Sequence, residues 1–395
     1  MCPCGFLLPI HKGETLPSSL TVRRCDLQRF LKVIRGAGLL SRKGIPAWVS
    51  LDASSGVLRL RAANTQVEVQ LQLEAADSAF EAIVDAEFLK ICSGKEASSV
   101  TLSLADDEVT ASWFDADVPR AARFVLRSSD SVPPAVAAPE ILATNEPHLL
   151  EALREAQATT DPGASRFALA CVQLRSAEGR IAATDSRQLL VQRGYQFPWA
   201  GDRLMQITPV FGAQEIDRSQ DVQIGEAGNW IAVQAGPWRI AHAVEVEGRF
   251  PNVDLVIPSP SSLVSSMSVE TGDARFVLER LDKLPCSDTL HEPVTVELNG
   301  SVAIRSRQEE SAAAVELVLS RTQRNGNECR LQMDRRYLGR ALKLGLREVG
   351  FTAGGGPCVA RDAQRDYVWM GLGQENTISA ADVGDRLLSE ESVGG

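Results

Sequence analysis

Helical patterns recur along this chain at a fixed interval, and that interval limits the folds open to it. A first set of amphipathic helices is expected at CDLQRFLKVIRG, EPHLLEALREA and DARFVLERLDKL, starting near Asp26, Asn145 and Asp273, with separations of about 120 and 128. In the first, Leu27, Phe30, Leu31 and Ile34 fall at i, i+3, i+4 and i+7, which is one apolar face. In the second, Leu149, Leu150 and Leu153 share a face, with Asn145 placed as a cap and Pro147 in the first turn. The third aligns Val277, Leu281 and Leu284. A second set of shorter helices, DAEFLKIC, TPVFGAQEIDR and MDRRYLGRALKLG, starts near Asp85, Thr208 and Asp334, with separations of about 123 and 126. Strand-like runs such as VLRLRAANTQVEVQLQL lie between them, and SVTLSLADDEVTASW and DVQIGEAGNWIAVQAG read as hairpins. Two markers with one period imply three copies of an α+β unit of roughly 120 residues. That suits a chain of 395 residues, too long for one ordinary core.

The Pro- and Ser-rich stretches SSDSVPPAVAAPE and PSPSSLVSS fall between the units and are expected to be exposed connectors. The expected units are 20–137, 138–262 and 263–373, preceded by an extension at 1–19. They are followed by QENTISAADVGDRLLSEESVGG, an acidic, small-residue-rich tail at 374–395 that is expected to be flexible.

A net charge of −10 argues against a protein that coats nucleic acid with its whole surface, but leaves room for a local basic stripe. Such stripes are legible on the helices. Arg336, Arg340, Lys343 and Arg347 recur at i, i+4, i+7 and i+11, opposite Tyr337, Leu338, Ala341, Leu342 and Leu344. Arg29, Lys32 and Arg35 lie off the apolar face of the first helix, with Arg23 and Arg24 just before it; Arg275, Arg280 and Lys283 mark the third unit. The middle unit breaks the pattern, with Glu146, Glu151 and Glu155 against Arg154. Each helix alone reads equally as a solvated face. Cationic faces repeated on an acidic body, with no base-reading motif, point to sequence-independent contact with phosphates.

Catalytic readings fare worse. Asp106, Asp107 and Glu108 with Asp115 and Asp117 invite a two-metal site, but they fall in a hairpin turn and its exit instead of on separate converging elements. Gly354-Gly355-Gly356-Pro357 lacks the Lys-Ser/Thr of a phosphate loop, and no nucleophile elbow accompanies the scattered histidines. The eight cysteines form no CxxC pair, so no metal and no cofactor are expected, and the thiols are expected to be reduced. MCPCGFLLPIHKGE has no basic n-region, and no apolar run nears the eighteen or so residues of a membrane span, so a cytoplasmic protein is expected.

One stretch, IAATDSRQLLVQR at 181–193, sets five polar residues between apolar runs. No partner for catalysis accompanies Asp185, so Thr184 and Asp185 are expected to bond local backbone donors and fix a turn, while Leu189 presents apolar surface. Ala183-Thr184-Asp185-Ser186-Arg187-Gln188-Leu189 also resembles the Ala-Thr-Asp-Gly-His-Arg-Leu signature of the bacterial sliding clamp, the beta subunit of DNA polymerase III. Gly248-Arg249-Phe250-Pro251-Asn252-Val253, followed by Val256-Ile257-Pro258, is similar to that family's Gly-Arg-Phe-Pro-Asp-Tyr segment. Tyr367-Val368-Trp369-Met370-Gly371-Leu372 resembles its terminal Tyr-Val-Val-Met-Pro-Met, and Lys43-Gly44-Ile45-Pro46 sits at its Thr-Leu-Pro turn. The likeness keeps order and spacing from about residue 20 to 373.

The resemblance implies an α+β chain of three tandem DNA-clamp domains, with helices on one face of antiparallel sheets, closing head to tail into a dimeric ring. It implies a non-catalytic processivity factor that encircles duplex DNA and tethers the replicative polymerase. Polymerase and clamp loader would bind through short apolar peptide motifs. Carried over residue by residue, DNA contacts would come from Arg24, Arg29, Lys32, Arg42, Phe167, Arg280, Arg336, Arg340, Lys343 and Arg347. The partner pocket would use Arg166, Leu169, Thr184, Leu189, Pro251, Val256, Val368 and Met370, with Leu372 at the rim; Leu169, Val256 and Val368 read equally as core. The contact between subunits would pair the edge strand at Phe124 and Leu126 with the helix end near Leu284. The departures are Ala63-Asn64 for the first unit's Thr-Asp, Ser186-Arg187-Gln188 for Gly-His-Arg, Gly371 for Pro, and the tail, which starts beside the pocket and could shield it. They keep open a second reading, a divergent paralogue that serves as an interaction scaffold in repair or regulation without encircling DNA.

Overall fold

The periodicities seen in the sequence become elements in a recurring order: strand, helix, four strands (five in the last run), a short helix or turn, three strands. The computed structural model describes residues 18–40, 47–54, 56–75, 79–95, 98–105, 107–164, 168–286 and 288–389. The first run is β1 (Ser19–Arg23), α1 (Arg24–Gly36), β2 (Trp48–Ser54), β3 (Val57–Ala63), β4 (Val67–Glu74), β5 (Phe80–Asp85), α2 (Glu87–Cys92), β6 (Ser99–Ala105), β7 (Glu108–Asp115) and β8 (Val118–Val125). The middle run is β9 (Leu142–Asn145), α3 (His148–Gln157), β10 (Cys171–Arg175), β11 (Arg180–Thr184), β12 (Gln188–Arg193), β13 (Asp202–Gln206), β14 (Val222–Ala227), β15 (Trp230–Ala235) and β16 (Trp238–Ala243). The last is β17 (Leu263–Ser268), α4 (Thr271–Arg280), β18 (Pro293–Asn299), β19 (Ser301–Ser306), β20 (Ala314–Leu319), β21 (Gln323–Gly326), β22 (Cys329–Asp334), α5 (Arg335–Lys343), β23 (Glu348–Thr352), β24 (Pro357–Arg361) and β25 (Arg365–Met370). The tail adds β26 (Val383–Leu388).

Contacts gather the chain into two compact units that cut across this repeat. One is formed by the described residues up to Leu150 with Thr208–Ala243, the other by Glu151–Ile207 with the described residues from Val244 onward. The reason lies in the sheets. In the first unit β16 of the middle run pairs antiparallel with β4 of the first, which makes an eight-stranded sheet ordered β5-β2-β3-β4-β16-β15-β14-β9 beside a four-stranded β1-β6-β7-β8. In the second unit β12 pairs with β25, joining β10–β13 to β23–β25, β17 and β21 in a nine-stranded sheet; β22-β18-β19-β20-β26 forms a five-stranded one. Strand pairing is antiparallel except between β20 and β26. The fold is thus α+β, antiparallel sheets faced by helices. In the second unit α4 and α5 bury Phe276, Val277, Leu338, Ala341 and Leu342 against sheet residues such as Val294, Ile304, Phe351 and Tyr367. In the first, Leu27, Phe30 and Ile34 of α1 are wholly buried, and Phe30 stacks on Trp238. Burying side chains of this size contributes about 1.5–3 kcal/mol each.

Three expectations need correction. TPVFGAQEIDR is not a helix but a single 3-10 turn at Pro209–Gly212. The carbonyls of Phe211 and Glu215 accept instead from the side chains of Arg218 and Trp238, and Gly212 disfavours continuation. The basic stripe ends early: α5 stops at Lys343 and the chain turns through Gly345 (φ +80°), so Arg347 lies beyond the helix. The connector SSDSVPPAVAAPE is exposed over most of its length, as expected, and is held at a few points. Arg61, ion-paired to the buried Glu68 at 2.6 Å, donates to the carbonyls of Pro133 and Pro134, and Glu68 accepts from Val136 N at 3.0 Å. PSPSSLVSS is likewise exposed from Ser259 to Ser262.

The tail is the third correction, because its described part, up to Ser389, is ordered; residues 390–395 lie outside the described residues. Ile378 is buried, its N–H donates to Thr295 Oγ1 and its carbonyl accepts from Arg305. Ser379 and Asp382 form a capping box, and β26 then pairs with β20. Beneath it runs a ladder of alternating charge across five strands, Arg330–Glu297–Arg305–Glu316–Arg386. Desolvation opposes ionisation of Glu297, but Arg330 and Arg305 hold its carboxyl below the usual range. Acidic composition suggested disorder; the buried charges of the sheet supply the partners that a small-residue tail needs to order.

Candidate docking site and cationic helix faces

The turn between β11 and β12 is built by its own side chains. Thr184 Oγ1 donates to Gln188 O at 2.6 Å and accepts from Ser186 N at 3.1 Å. Asp185 Oδ1 accepts from Arg187 N and Gln188 N at 2.8 and 2.9 Å, and its Oδ2 from Gln188 Nε2 at 2.8 Å. Ser186 sits at φ +76°, where the family's signature has glycine. Asn64 repeats the device between β3 and β4, accepting from Gln66 N and Val67 N. Both carboxylate oxygens of Asp185 accept bonds from within the turn itself, so the residue builds the corner, as its surroundings in the sequence suggested.

From this corner the two faces of the hairpin diverge. On one face Leu189, cross-strand from Val368 and Thr184, packs with Ala182, Val191, Val253, Val359 and Val368 under Phe250, Ile257 and Leu263. Leu189 and Val368 form a buried floor, Thr184 and Leu169 are buried as well, and Pro251 is half-buried. Val256 and Met370 are about half exposed, at 50% and 53%, and Leu372 is exposed as well. Arg166 lies outside the described residues. The sequence reading missed Leu255, the most solvent-exposed of these apolar side chains at 83%. The cause is Asp254: burial works against its charge, yet the guanidiniums of Arg180 and Arg175 hold its carboxyl below the usual range. That anchor pins the 3-10 turn Asp254–Val256 and turns Leu255 and Val256 outward. An acid flanked by apolar residues, VDLVI, was the available signal. The tail does not cover this site: its described part runs from the Gln332–Gly373 bridge to the β20 edge.

On the other side of the turn lies an open depression of about 650 Å³ lined by Thr160, Asp161, Pro162, Asp185–Gln188, Arg336, Tyr337 and Arg340. Tyr367 donates its hydroxyl to Gln188 Oε1 at 2.6 Å, which links this wall to the hairpin. Apolar floor and polar depression together suit a segment with aliphatic anchors and polar neighbours.

The cations expected on DNA are only partly free for it. Arg340 donates to Ala158 O, Glu155 O and Thr159 Oγ1 at 2.6, 3.0 and 2.8 Å and lies 5.7 Å from the Tyr367 ring centre, so it caps the end of α3. Arg336 is bound to Asp334, which raises its pKa, and to Leu290 O. Arg24 bonds Cys92 O and Ser93 O, ending α2, and lies over Trp113. Arg280 covers Phe276 at 4.3 Å. Lys32 pairs with Glu215 at 2.8 Å and Arg29 with Asp26 at 3.4 Å, both from partly exposed positions. Arg35, Arg275 and Lys343 are exposed, and Arg347 is half-buried. Arg42 and Phe167 lie outside the described residues.

Of the expected contact between copies, Phe124 is on the edge strand β8, edge-on to Phe88, and Leu126 follows it. Leu284 is corrected: it is buried in the core, and its carbonyl accepts from Arg335, so its side chain offers no contact area. Of the acidic cluster, Asp106 lies outside the described residues. Glu108 and Asp115 stand at opposite ends of β7, about 23 Å apart at strand rise.

No protein-family model matches the sequence, and no curated protein does. Solved structures match over nearly the whole chain. The DNA polymerase III subunit beta from Pseudomonas aeruginosa is 18% identical, covers 90% of this chain and 100% of its own, and superimposes with a TM-score of 0.72. The DNA polymerase III beta subunit from Thermotoga maritima is 17% identical with 90% and 99% covered and a TM-score of 0.71. That from Borrelia burgdorferi, in complex with a natural product, is 10% identical with 90% and 98% covered and a TM-score of 0.74. The order of strands and helices is therefore that of a chain that folds as the bacterial DNA polymerase III beta subunits, the sliding clamps, fold.

Proposed function

We propose that two copies of this chain close head to tail around duplex DNA and tether a replicative polymerase, with no reaction catalysed by the ring itself. The observation that carries the proposal is the whole-length likeness: 90% of this chain is matched by the full length of a clamp. Exposed cations at Lys32, Arg35, Arg275 and Lys343 on an acidic body give a diffuse attraction to phosphates without base readout, so register along DNA costs little. Arg29, Arg347, Arg42 and Phe167 complete the proposed DNA face. Short apolar peptides of polymerase and clamp loader dock on the apolar surface of Leu189 and Val368, with Leu169, Thr184, Pro251, Val256, Met370 and Leu372 as further proposed contacts; Arg166, outside the described residues, is proposed with them. The test is loading by a clamp loader onto nicked circular duplex followed by linearisation. Retention on the circle and release from the linear form are expected; equal release from both rejects the ring.

A second reading is favoured by the capture of Arg24, Arg280, Arg336 and Arg340 by their own chain. In it the fold is a paralogue that docks partners in repair or regulation without encircling DNA. Peptide binding without topological retention is its signature.

A further inference from the structure

Strand β8 has no buried residue, yet it is eight residues long and closes one end of the four-stranded sheet with β7 as its sole neighbour. Its outer edge presents unpaired backbone groups, Pro119 marks it as an edge in the sequence, and Val118, Val125 and the nearby Phe114 are 49%, 69% and 65% exposed. Such an edge is a template for another strand. A second edge is made by β26. It is integral to its sheet: Ile378 is buried before it, Arg386 completes the charge ladder on Glu316, and Ser389 Oγ accepts from Ser320 N at 3.0 Å. Because β26 covers β20, the edge of the five-stranded sheet open to another molecule is β26 itself.

The two edges are complementary in charge. Residues 118–125 carry Arg120 and Arg123 with no acid; on β26 Arg386 is bound to Glu316, which leaves the exposed Asp385 as its free charge, with the exposed Asp382 just before the strand. Both edges also hold exposed aliphatic side chains, Val118 and Val125 on one and Leu387 on the other. We propose that β26 is the strand that β8 of a second copy joins, so that the C-terminal segment forms the contact between copies. The inference rests on the two-copy reading above and assigns that contact to a segment beyond the part matched in sequence to the clamps.

Sedimentation equilibrium of the full chain tests it, with three variants. The wild type is expected to dimerise. Arg120→Glu with Arg123→Glu is expected to weaken the dimer about tenfold or more, and Asp382→Arg with Asp385→Arg likewise. Mixing the two reversed proteins should restore association. Deletion of 383–395, which leaves the Ile378 anchor and the capping box in place, should also weaken it. A wild-type monomer, a dimer indifferent to the reversals or the deletion, or a dimer tightened by the deletion overturns the proposal; tightening would make β26 a cover over β20. If the deleted protein is still retained on nicked circular duplex, this assignment fails while the clamp reading stands.

Discussion

Arg340→Ala separates a structural cation from a DNA-facing one. The guanidinium donates to two carbonyls and a hydroxyl at the end of α3 and lies beside Tyr367. Hydrogen bonds to a charged donor contribute about 1.5–3 kcal/mol each, and a cation at a helix C-terminus about 0.3–2 kcal/mol. These are not additive, and water replaces part of them because the side chain is partly exposed. A loss of about 3 kcal/mol in the stability of the second unit is expected, which lowers its calorimetric melting by roughly 6–12 °C. Arg340→Lys should not restore it, because an ammonium cannot reach three acceptors in a planar fork. The control is Lys343→Ala, one turn on and exposed. Its melting should stay within about 0.5 kcal/mol of wild type, while the slope of log DNA affinity against log salt should fall by about 1. The reasoning is refuted if Arg340→Ala leaves melting unchanged and lowers the salt slope, since the residue would then face phosphate and not α3.

Three further outcomes follow from the geometry. Arg305→Met leaves Glu297 and Glu316 buried with one partner fewer each and frees Ile378 O, so a loss of about 3–5 kcal/mol and faster hydrogen exchange in β20 and β26 are expected; unchanged exchange there would show that the ladder does not hold the tail. Asp185→Ala removes three bonds of an exposed turn and should lower stability by about 1–2 kcal/mol and weaken apolar-peptide binding by calorimetry, with Asp185→Asn keeping most of both. His242 is wholly buried, accepts from Thr208 N, and desolvation pushes its pKa down to about 3. Between about pH 6.5 and 3 the unfolded chain therefore binds a proton that the folded one does not, so stability rises with pH there, by about 1.4 kcal/mol per unit. His242→Gln should remove that part of the slope in urea unfolding at pH 4.5–7, and a slope unchanged by the substitution would place the acid sensitivity elsewhere.

Much of the fold was legible because its signals are local. The apolar stripe of Leu27, Phe30, Leu31 and Ile34 depends on helix periodicity alone, and all four are buried as expected. The corner at Thr184 and Asp185 depends on side chains that reach only two to four residues along the chain. Where local signals conflicted, reading failed: TPVFGAQEIDR has helical spacing, but Trp238 and Arg218 take its carbonyls. The candidate docking floor was half legible. Leu189 and Val368 stood out by resemblance, whereas Leu255 became visible only once Arg175 and Arg180 were seen to hold Asp254.

The sequence by itself determined the repeat, the helix faces and the turn chemistry, since each follows from spacing within a few residues. Tertiary structure alone decided where the arginines go and whether the tail orders. A guanidinium on a long side chain finds its acceptors across the fold, as Arg340 does on α3 and Arg305 on Ile378, and no local pattern distinguishes that from a charge left to meet phosphate. The tail orders for the same reason: Glu316, buried on β20, offers Arg386 a partner that exists only once the sheet has formed.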